Sequence, residues 1–433
     1  MVDYRPQARI AVVGGGVSGI ATAYFLKRMG YEPELIEAAS SLGGRAGSAR
    51  LQDKTIDIGG KNIGRRYTLF RQFIADHGSL PLEFFGINSS TIRNGALHTI
   101  DSQKRLKSLY HLLRLVGLED FGRLLSLAGL VRHNPAEGLL GGPRFSEIAE
   151  RKDHHPLSHW FGERCVDGFL RPITLRMNGA EPEEYHLGNL GSNLKMVLDR
   201  YDQLTHGMAE LLGRFEQTVS TVLNTRVVRL LGQPGRITGV EMLRGGKTES
   251  RDYDLVVLAL PAPLGARLLA DEPIADALQK VVYHPVTLIV ARYSRPIFDP
   301  DIRAIVFGKD TPLSNAGCYG KEDLRTVRYT LSGKRARTID PSTPPEETLK
   351  RAEETLSRFF PVSARERIDY VYRHLPLGLC GYSPYHHRLL REIEAWETRV
   401  SGLALTGDYL RGASIESCFH AARECAERVA KKL

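Results

Sequence analysis

The chain of 433 residues contains no run approaching about 18 uninterrupted apolar residues, so no transmembrane helix is expected. Cysteine is scarce. Cys165, Cys318, Cys380, Cys418 and Cys425 are odd in number and widely spaced, and no C-x-x-C occurs. That pattern argues against a disulfide framework and a zinc site, and fits reduced thiols. The adjacent pairs His154-His155 and His386-His387 point apart on any regular element, so neither chelates alone, and no metal is expected. No Lys/Arg-rich block interleaved with aromatics is present, which argues against nucleic acid, and no internal repeat or low-complexity tract appears. The N-terminal Met1–Arg5 segment has no signal-peptide pattern and leads straight into a strand, so a cytoplasmic location is expected.

What is present is ordinary for a globular protein. Hydrophobic residues make up 42% and charged residues 25%, which excludes disorder and collagen. At roughly 150 residues per domain the length suggests two or three domains. The net charge is 59 − 50 = +9, a mild excess that suits a basic solvated surface or an anionic cofactor.

Arg9–Val13 reads as a short buried strand, followed by Gly14-Gly15-Gly16-Val17-Ser18-Gly19. Val17, Ile20, Ala21, Tyr24 and Phe25 then recur at helical spacing, Gly30 ends the helix, and Glu34–Ile36 is a second strand with Glu37 at its end. The region from about 76 to 204 reads as mostly helical. In it, Leu106, Leu109, Tyr110, Leu113 and Val116 form one face, and Phe121, Leu124, Leu125 and Ala128 another. Basic Lys104, Arg105, Lys107, Arg114 and Arg123 lie among them, leaving contact with a membrane surface open. Strands are expected at Thr225–Leu230, Ile237–Leu243, Leu255–Leu260, Val286–Tyr293, Ile302–Phe307, Thr326–Leu331 and Leu403–Thr406. Helices are expected near Glu346–Phe360 and Ser414–Lys432.

Four signals carry chemistry. In Gly14-x-Gly16-x-x-Gly19, Gly14 permits a tight turn, Gly16 lets backbone approach a pyrophosphate, and Gly19 lets helix and strand pack closely. The helix start, with Val17 and Ser18, offers free N–H groups to phosphate. Glu37, 18 residues after Gly19, can accept both ribose hydroxyls. The second signal is Gly43-Gly44-Arg45, where Arg45 can fork onto the same pyrophosphate. The third, Asp57-Ile58-Gly59-Gly60, can line an isoalloxazine. The fourth is Gly407-Asp408, able to hold a ribityl hydroxyl, with the helix opening at Ser414-Ile415 to face flavin N1/O2. Each alone is also an ordinary loop and cap; the order of all four points to a flavin dinucleotide.

On these residues, with Gly207-Met208, Ala259-Leu260-Pro261 and Gly402–Glu416, the sequence resembles the FAD-dependent amine oxidase, protoporphyrinogen oxidase and phytoene desaturase superfamily. The resemblance spans about 9–66, 205–263 and 372–430. It implies that Val227 contacts adenine through its backbone. This chain departs from the pattern in three places. The stretch His284–Ile289 lacks the Lys that holds a water near flavin N5 in many amine oxidases. Cys380 lacks the Ser-Gly-Gly-Cys context of covalent flavin attachment. Ser417-Cys418 stands where many relatives have Gly-Ala.

The expected fold is α/β, α+β overall: a Rossmann-like FAD-binding domain (1–75, 205–265 and 395–433) with an inserted helical and mixed-sheet substrate domain (76–204 and 266–394). The expected cofactor is noncovalent FAD. The expected reaction is hydride removal from a C–H bond, by C–N or C–C oxidation, of a mid-sized, partly apolar metabolite in specialised metabolism, with O2 as acceptor. A homodimer is left open. Tyr382, Tyr385 and His386 are assigned to catalysis, as a loop over the flavin face, although the same residues also suit ordinary packing. Lys61, Arg65, Arg66 and His284 are the reserve candidates. Two other readings stay open: a non-enzymatic binding protein on this fold, and an NAD(P)H-linked flavin monooxygenase or reductase. The latter has no second strand-GxGxxG-helix unit to support it.

Overall fold

A computed structural model describes residues 8–433 apart from residue 94, and all of them except the side chain of residue 105. The N-terminal segment at residues 1–5 and the Arg105 side chain therefore lie outside the described parts. Five short strands form a parallel sheet in the order Ser220–Val222, Glu34–Ile36, Ile10–Val13, Leu255–Leu258, Leu403–Leu405. The three inner strands are apolar almost throughout (IAVV, ELI, LVVL) because helices or further strands cover both faces. The helices Val17–Arg28 and Ile415–Lys432 pack together over one face, with Ala21, Ala422, Cys425 and Ala426 giving the small side chains that let them approach.

The second large element is a seven-stranded sheet. It runs Arg367–Cys380, Tyr283–Tyr293, Thr326–Leu331, Leu313–Cys318, Ala304–Val306, Asn88–Arg93, Ala96–Asp101, and is antiparallel except where Ala304–Val306 meets Asn88–Arg93. Alternation sends Val327, Tyr329 and Leu331 under the helix Pro345–Leu356. On the opposite face Val286, Leu288 and Val290 pack on Leu51, Ile56 and Ile58, from the hairpin Ser48–Leu51/Lys54–Asp57. The hairpin is thus packed on the seven-stranded sheet.

Several sequence expectations need correction. The 76–204 region is mostly helical, as expected, but Leu82–Phe84, Asn88–Arg93, Ala96–Asp101 and Tyr201–Leu204 are short strands: Leu82–Phe84 pairs with the distant Tyr201–Leu204, and Asn88–Arg93 forms a hairpin with Ala96–Asp101. The 14-residue strand Arg367–Cys380 was not foreseen. The apolar stripe of the helix Arg105–Val116 is not a core face. Leu106 is 86% exposed, with Leu109 and Tyr110 also exposed, and only its last turn, Leu115 and Val116, is buried. Among the described residues, no helix is long and apolar enough to cross a membrane.

Two buried charges hold the seams. The Glu416 carboxylate, in the first turn of the closing helix, accepts from the backbone N–H groups of Thr68 (2.7 Å), Leu69 (3.0 Å) and Phe70 (3.0 Å). These are the orphan donors that open the helix Leu69–Asp76, whose N-cap Thr68 makes no side-chain cap of its own. Lys61 is buried as well. Its Nζ donates to Gln203 Oε1 (2.5 Å) and the Tyr319 carbonyl, between the rings of Phe85 and Tyr319. Burial, with Arg328 nearby, lowers its pKa to about 7.

Glu416→Ala strands three N–H groups in the interior and is expected to cost about 3 kcal/mol in urea denaturation, with Glu416→Gln costing less. Lys61 titrates lower when folded than unfolded, so its penalty is full below pH 7 and fades as pH rises towards 10.5. The melting temperature of the wild type should accordingly rise relative to Lys61→Met across that window, as followed by circular dichroism. A constant gap would contradict a depressed lysine.

Candidate cofactor and active site

Five segments leave the C-terminal ends of the five parallel strands and converge, as is usual for ligand sites on such sheets. After Ile10–Val13 the chain turns at Gly14, with φ at +106° and its N–H donating to the Ile36 carbonyl (2.8 Å). A Cβ on Gly19 would stand 1.8 Å from the Gly14 carbonyl oxygen, so only glycine allows this helix–turn contact. Gly16 differs: a Cβ there meets nothing within 4 Å, and its φ of −75° is open to any residue. The space is free although the backbone does not require it. Val17, Ser18 and Gly19 then open the helix with N–H groups that have no intrahelical partner.

Glu37 stands at the end of the second strand. Its Oε2 accepts from Gly15 N–H (2.6 Å) and its Oε1 from Ala39 N–H (2.7 Å), which fixes the carboxylate beside the glycine turn with acceptor capacity to spare. The Glu37 carbonyl accepts from Thr225 N–H (2.9 Å), bringing the strand Thr225–Gln233 alongside. Val227 is buried in that strand opposite Met242.

Gly43 and Gly44 have φ of +117° and +51°, and a Cβ on Gly44 would come within 3.0 Å of Gly16 Cα. This left-handed pair lays Arg45 across the site. Arg45 Nη1 donates to Asp408 Oδ2 (2.7 Å), and Asp408 Oδ1 accepts from the Tyr283 hydroxyl (2.6 Å). Burial opposes the charge on Arg45, but Asp408 overrides it and raises the guanidinium above its ordinary value. Its Nε and Nη2 remain for a further partner. The Arg45 carbonyl accepts from Gly60 N–H (3.1 Å), and a Cβ on Gly59 would lie 2.2 Å from that same oxygen. Arg328 Nη2 donates to the Gly59 carbonyl (2.8 Å) and braces the turn from the seven-stranded sheet. Gly407 is extended and precedes Asp408. Ser414 caps the closing helix by accepting from Ser417 N–H (3.0 Å), and Ile415 begins it.

The fifteen cofactor candidates therefore meet around one end of the parallel sheet. The three catalytic candidates do not form an open loop. Tyr382 and His386 are 3% and 1% exposed. His386 starts the helix His386–Glu397 and its Nε2 donates to the Tyr409 carbonyl (2.7 Å), leaving Nδ1 buried without a partner. Burial lowers its pKa to about 4, so the ring is neutral and locked. Tyr385 turns outward under the Arg388 guanidinium. Tyr382 and Tyr385 are left-handed, φ 58° and 54°, and between them the chain turns so that Tyr382 and His386 are buried while Tyr385 stays partly exposed. Among the reserve candidates, Lys61 is held in the seam described above, Arg65 pairs with Asp202 (3.0 Å), and His284 is buried beneath Gly381.

Tyr283 and Arg328 were missed. An arginine alternating with Val327 and Tyr329 was a usable signal of a charge placed on an inner sheet face. Tyr283 carried none, lying just ahead of the segment read as strand. Two surface hollows, of about 460 Å3 near His133 and Arg144 and about 520 Å3 near Arg65 and Arg200, contain none of the cofactor candidates. Among the described residues, no group of three His, Cys, Asp or Glu side chains is arranged to hold a metal.

Known proteins share this architecture. An L-amino-acid oxidase of Sistrurus catenatus edwardsii is 30% identical over 326 residues, covering 70% of this chain and 61% of its own length. One from Bungarus fasciatus is 32% identical over 322 residues, covering 70% and 60%. The chain thus spans about three-fifths of these curated relatives. Among solved structures, putrescine oxidase bound to putrescine superposes with a TM-score of 0.73 at 16% identity, covering 98% of this chain and 99% of that one. Cyclohexylamine oxidase from Brevibacterium oxydans does so with a TM-score of 0.71 at 16% identity and the same coverage. At such identities these two share the fold. The family model for flavin containing amine oxidoreductase matches residues 17–430, and the chain belongs to that family.

Proposed function

We propose that this chain is an FAD-dependent oxidase acting on the C–N bond of an amine, with O2 as terminal acceptor and the FAD held noncovalently. The observation that carries the reading is the empty volume in front of Gly16, bounded by an uncapped helix start, Glu37 and the free edge of Arg45. A volume kept clear by residues that would tolerate a side chain fits a phosphate group. FAD, when bound, supplies the hydride acceptor.

The chain's own residues divide the remaining work. The N–H groups of Val17, Ser18 and Gly19 and the unused donors of Arg45 meet the pyrophosphate. Glu37 takes the ribose hydroxyls and the Val227 backbone the adenine. Gly44 keeps the crossing backbone thin, and Gly59 and Gly60 border the isoalloxazine. Asp408 orients the ribityl chain, and the helix start at Ser414-Ile415 offers positive potential where the reduced ring gathers negative charge. Cys380 is fully buried, and burial raises its thiol well above the ordinary value, which disfavours a thioether link. C–N rather than C–C oxidation follows the amine substrates in the names of the relatives. We further infer two units, 1–75, 205–265 and 395–433 against 76–204 and 266–394; in support, all five parallel strands fall in the first set.

Acid or heat denaturation of the yellow protein should release all flavin to the supernatant. Gly16→Val should fold with an unchanged circular dichroism spectrum yet bind no flavin, because its side chain fills the phosphate space without touching protein. Amines that bleach the wild-type flavin anaerobically and yield H2O2 in air identify the reaction. Normal flavin content in Gly16→Val, or flavin retained on the peptide, would overturn the reading.

A further inference from the structure

The helix Arg105–Val116 turns its apolar stripe to solvent. Among the described residues, twelve large apolar side chains stand exposed, and five of them, Leu106, Leu109, Tyr110, Leu118 and Leu125, fall between positions 106 and 125. The stripe is not a fraying end. Ser108 Oγ accepts from the Asp101 N–H and donates to the Asp101 carbonyl (both 2.7 Å). His111 meets His98 of the strand Ala96–Asp101, with 3.2 Å between their Nδ1 atoms, and Leu115 and Val116 are buried. The helix is thus held along its inner side, and Leu106, Leu109 and Tyr110, at i, i+3, i+4 spacing, stand outward together. Leu118, 80% exposed, opens the next helix, Leu118–His133, directly after Gly117, and Leu125 lies two turns along its face. Apolar side chains concentrated in this way mark an interaction surface.

The same segment is basic. Lys104, Arg105, Lys107 and Arg114 lie between 102 and 118, where no Asp or Glu occurs. At the end of the helix, Arg93 Nη1 (2.9 Å) and Arg164 Nε (2.8 Å) both donate to the Arg114 carbonyl, and the Arg114 guanidinium lies over the Tyr110 ring. Lys104 pairs with Asp301 (2.5 Å), but Lys107 and these three arginines make no ion pair among the described residues. Glu119 and Asp120 are the two acids of the following helix, and both pair with Arg123 (2.5 and 3.1 Å). The field of the cluster is felt locally. Burial and Arg164 lower the pKa of Arg93, and burial with Arg93 and Arg114 lowers that of His98.

We propose that the face formed by Leu106, Leu109, Tyr110 and Leu118, rimmed by Lys107 and Arg114, docks this chain on an anionic lipid bilayer, lying on the surface without crossing it. Charge decides the occupant. A second copy related by a two-fold axis would set this basic patch against itself. The buried centre of a protein–protein interface is depleted of lysine, whereas Lys107 stands directly beside Leu106. A bilayer accepts both kinds of side chain at once: the leucines and the tyrosine ring enter the acyl boundary, while the long basic stems carry their charges to the headgroups. The inference is independent of the oxidase reading.

The test is co-sedimentation of the purified, flavin-loaded protein with vesicles of phosphatidylcholine alone or with a third phosphatidylserine. The protein should sediment with the anionic vesicles at about 0.1 M salt and be released at about 1 M, where charge is screened within roughly 3 Å. Each basic group near an anionic surface strengthens binding about fivefold, so Lys107→Gln with Arg114→Gln should weaken it about 25-fold. Leu106→Ser with Leu118→Ser should weaken it at least about 10-fold. Both pairs change exposed side chains, so flavin content and circular dichroism should match the wild type. Ile368→Ser, at an exposed apolar position on a different element, should bind as the wild type does. No sedimentation with anionic vesicles, equal binding to phosphatidylcholine alone, or unchanged binding by the leucine variant would overturn the proposal. A dimer that the leucine variant converts to monomer, without vesicle binding, would assign the face to a second copy and overturn it as well.

Discussion

The ion pair between Arg45 and Asp408 is the constraint on which the site depends. It joins residues 363 positions apart and recruits the Tyr283 hydroxyl to the second carboxylate oxygen. The Asp408 side chain is 3% exposed, and a carboxylate so placed needs its partner, since a lone buried charge costs several kcal/mol. Arg45 in turn is pinned by its own backbone, whose carbonyl receives Gly60 N–H. One residue therefore ties together the glycine turn before it, the Gly59-Gly60 turn after it, the last strand–helix junction and, through Tyr283, the start of an inner strand of the seven-stranded sheet. The pair still leaves a third of the Arg45 side chain open, so the clamp that assembles the site also presents charge into it.

Around that clamp, glycine does two opposite kinds of work. At Gly19 and Gly59 the missing side chain is a packing need, because neighbouring backbone stands closer than any Cβ tolerates. At Gly16 and Gly60 nothing crowds the position, and the missing side chain leaves room. The first kind holds elements together and the second keeps volume free for something other than protein. The Glu416 carboxylate shows similar economy, since the helix that ends the site also caps the helix Leu69–Asp76 leading away from it.

These local features were legible in the sequence. A strand, a glycine turn and a helix lie within some twenty residues, and Glu37, Arg45 and Gly59-Gly60 follow at short range, so spacing alone conveys them. Long-range placement was not legible. The strand Arg367–Cys380 carries Pro376 and a run of mixed polar and apolar residues, and its pairing with Tyr283–Tyr293 decides its form. The hairpin Asn88–Arg93/Ala96–Asp101 is different, a local pairing whose signal, the Asn94-Gly95 dipeptide between two β-prone runs, was present and overlooked. Tyr382 and His386 looked like an accessible aromatic loop, and two left-handed residues, which no residue pattern announced, turn them inward.

The parallel sheet draws its strands from residues 10 to 405. On the ribosome, at about 5–20 residues per second, its first two strands wait for most of the synthesis before the last arrives. During that interval Ile10–Val13 and Leu255–Leu258 are apolar edges without their full complement of neighbours, a form prone to aggregation. The Arg45–Asp408 pair and the Glu416 contacts to Thr68, Leu69 and Phe70 all wait for this last part of the chain. For this topology the parallel sheet is complete only once Leu403–Leu405 has been made and has paired with Leu255–Leu258.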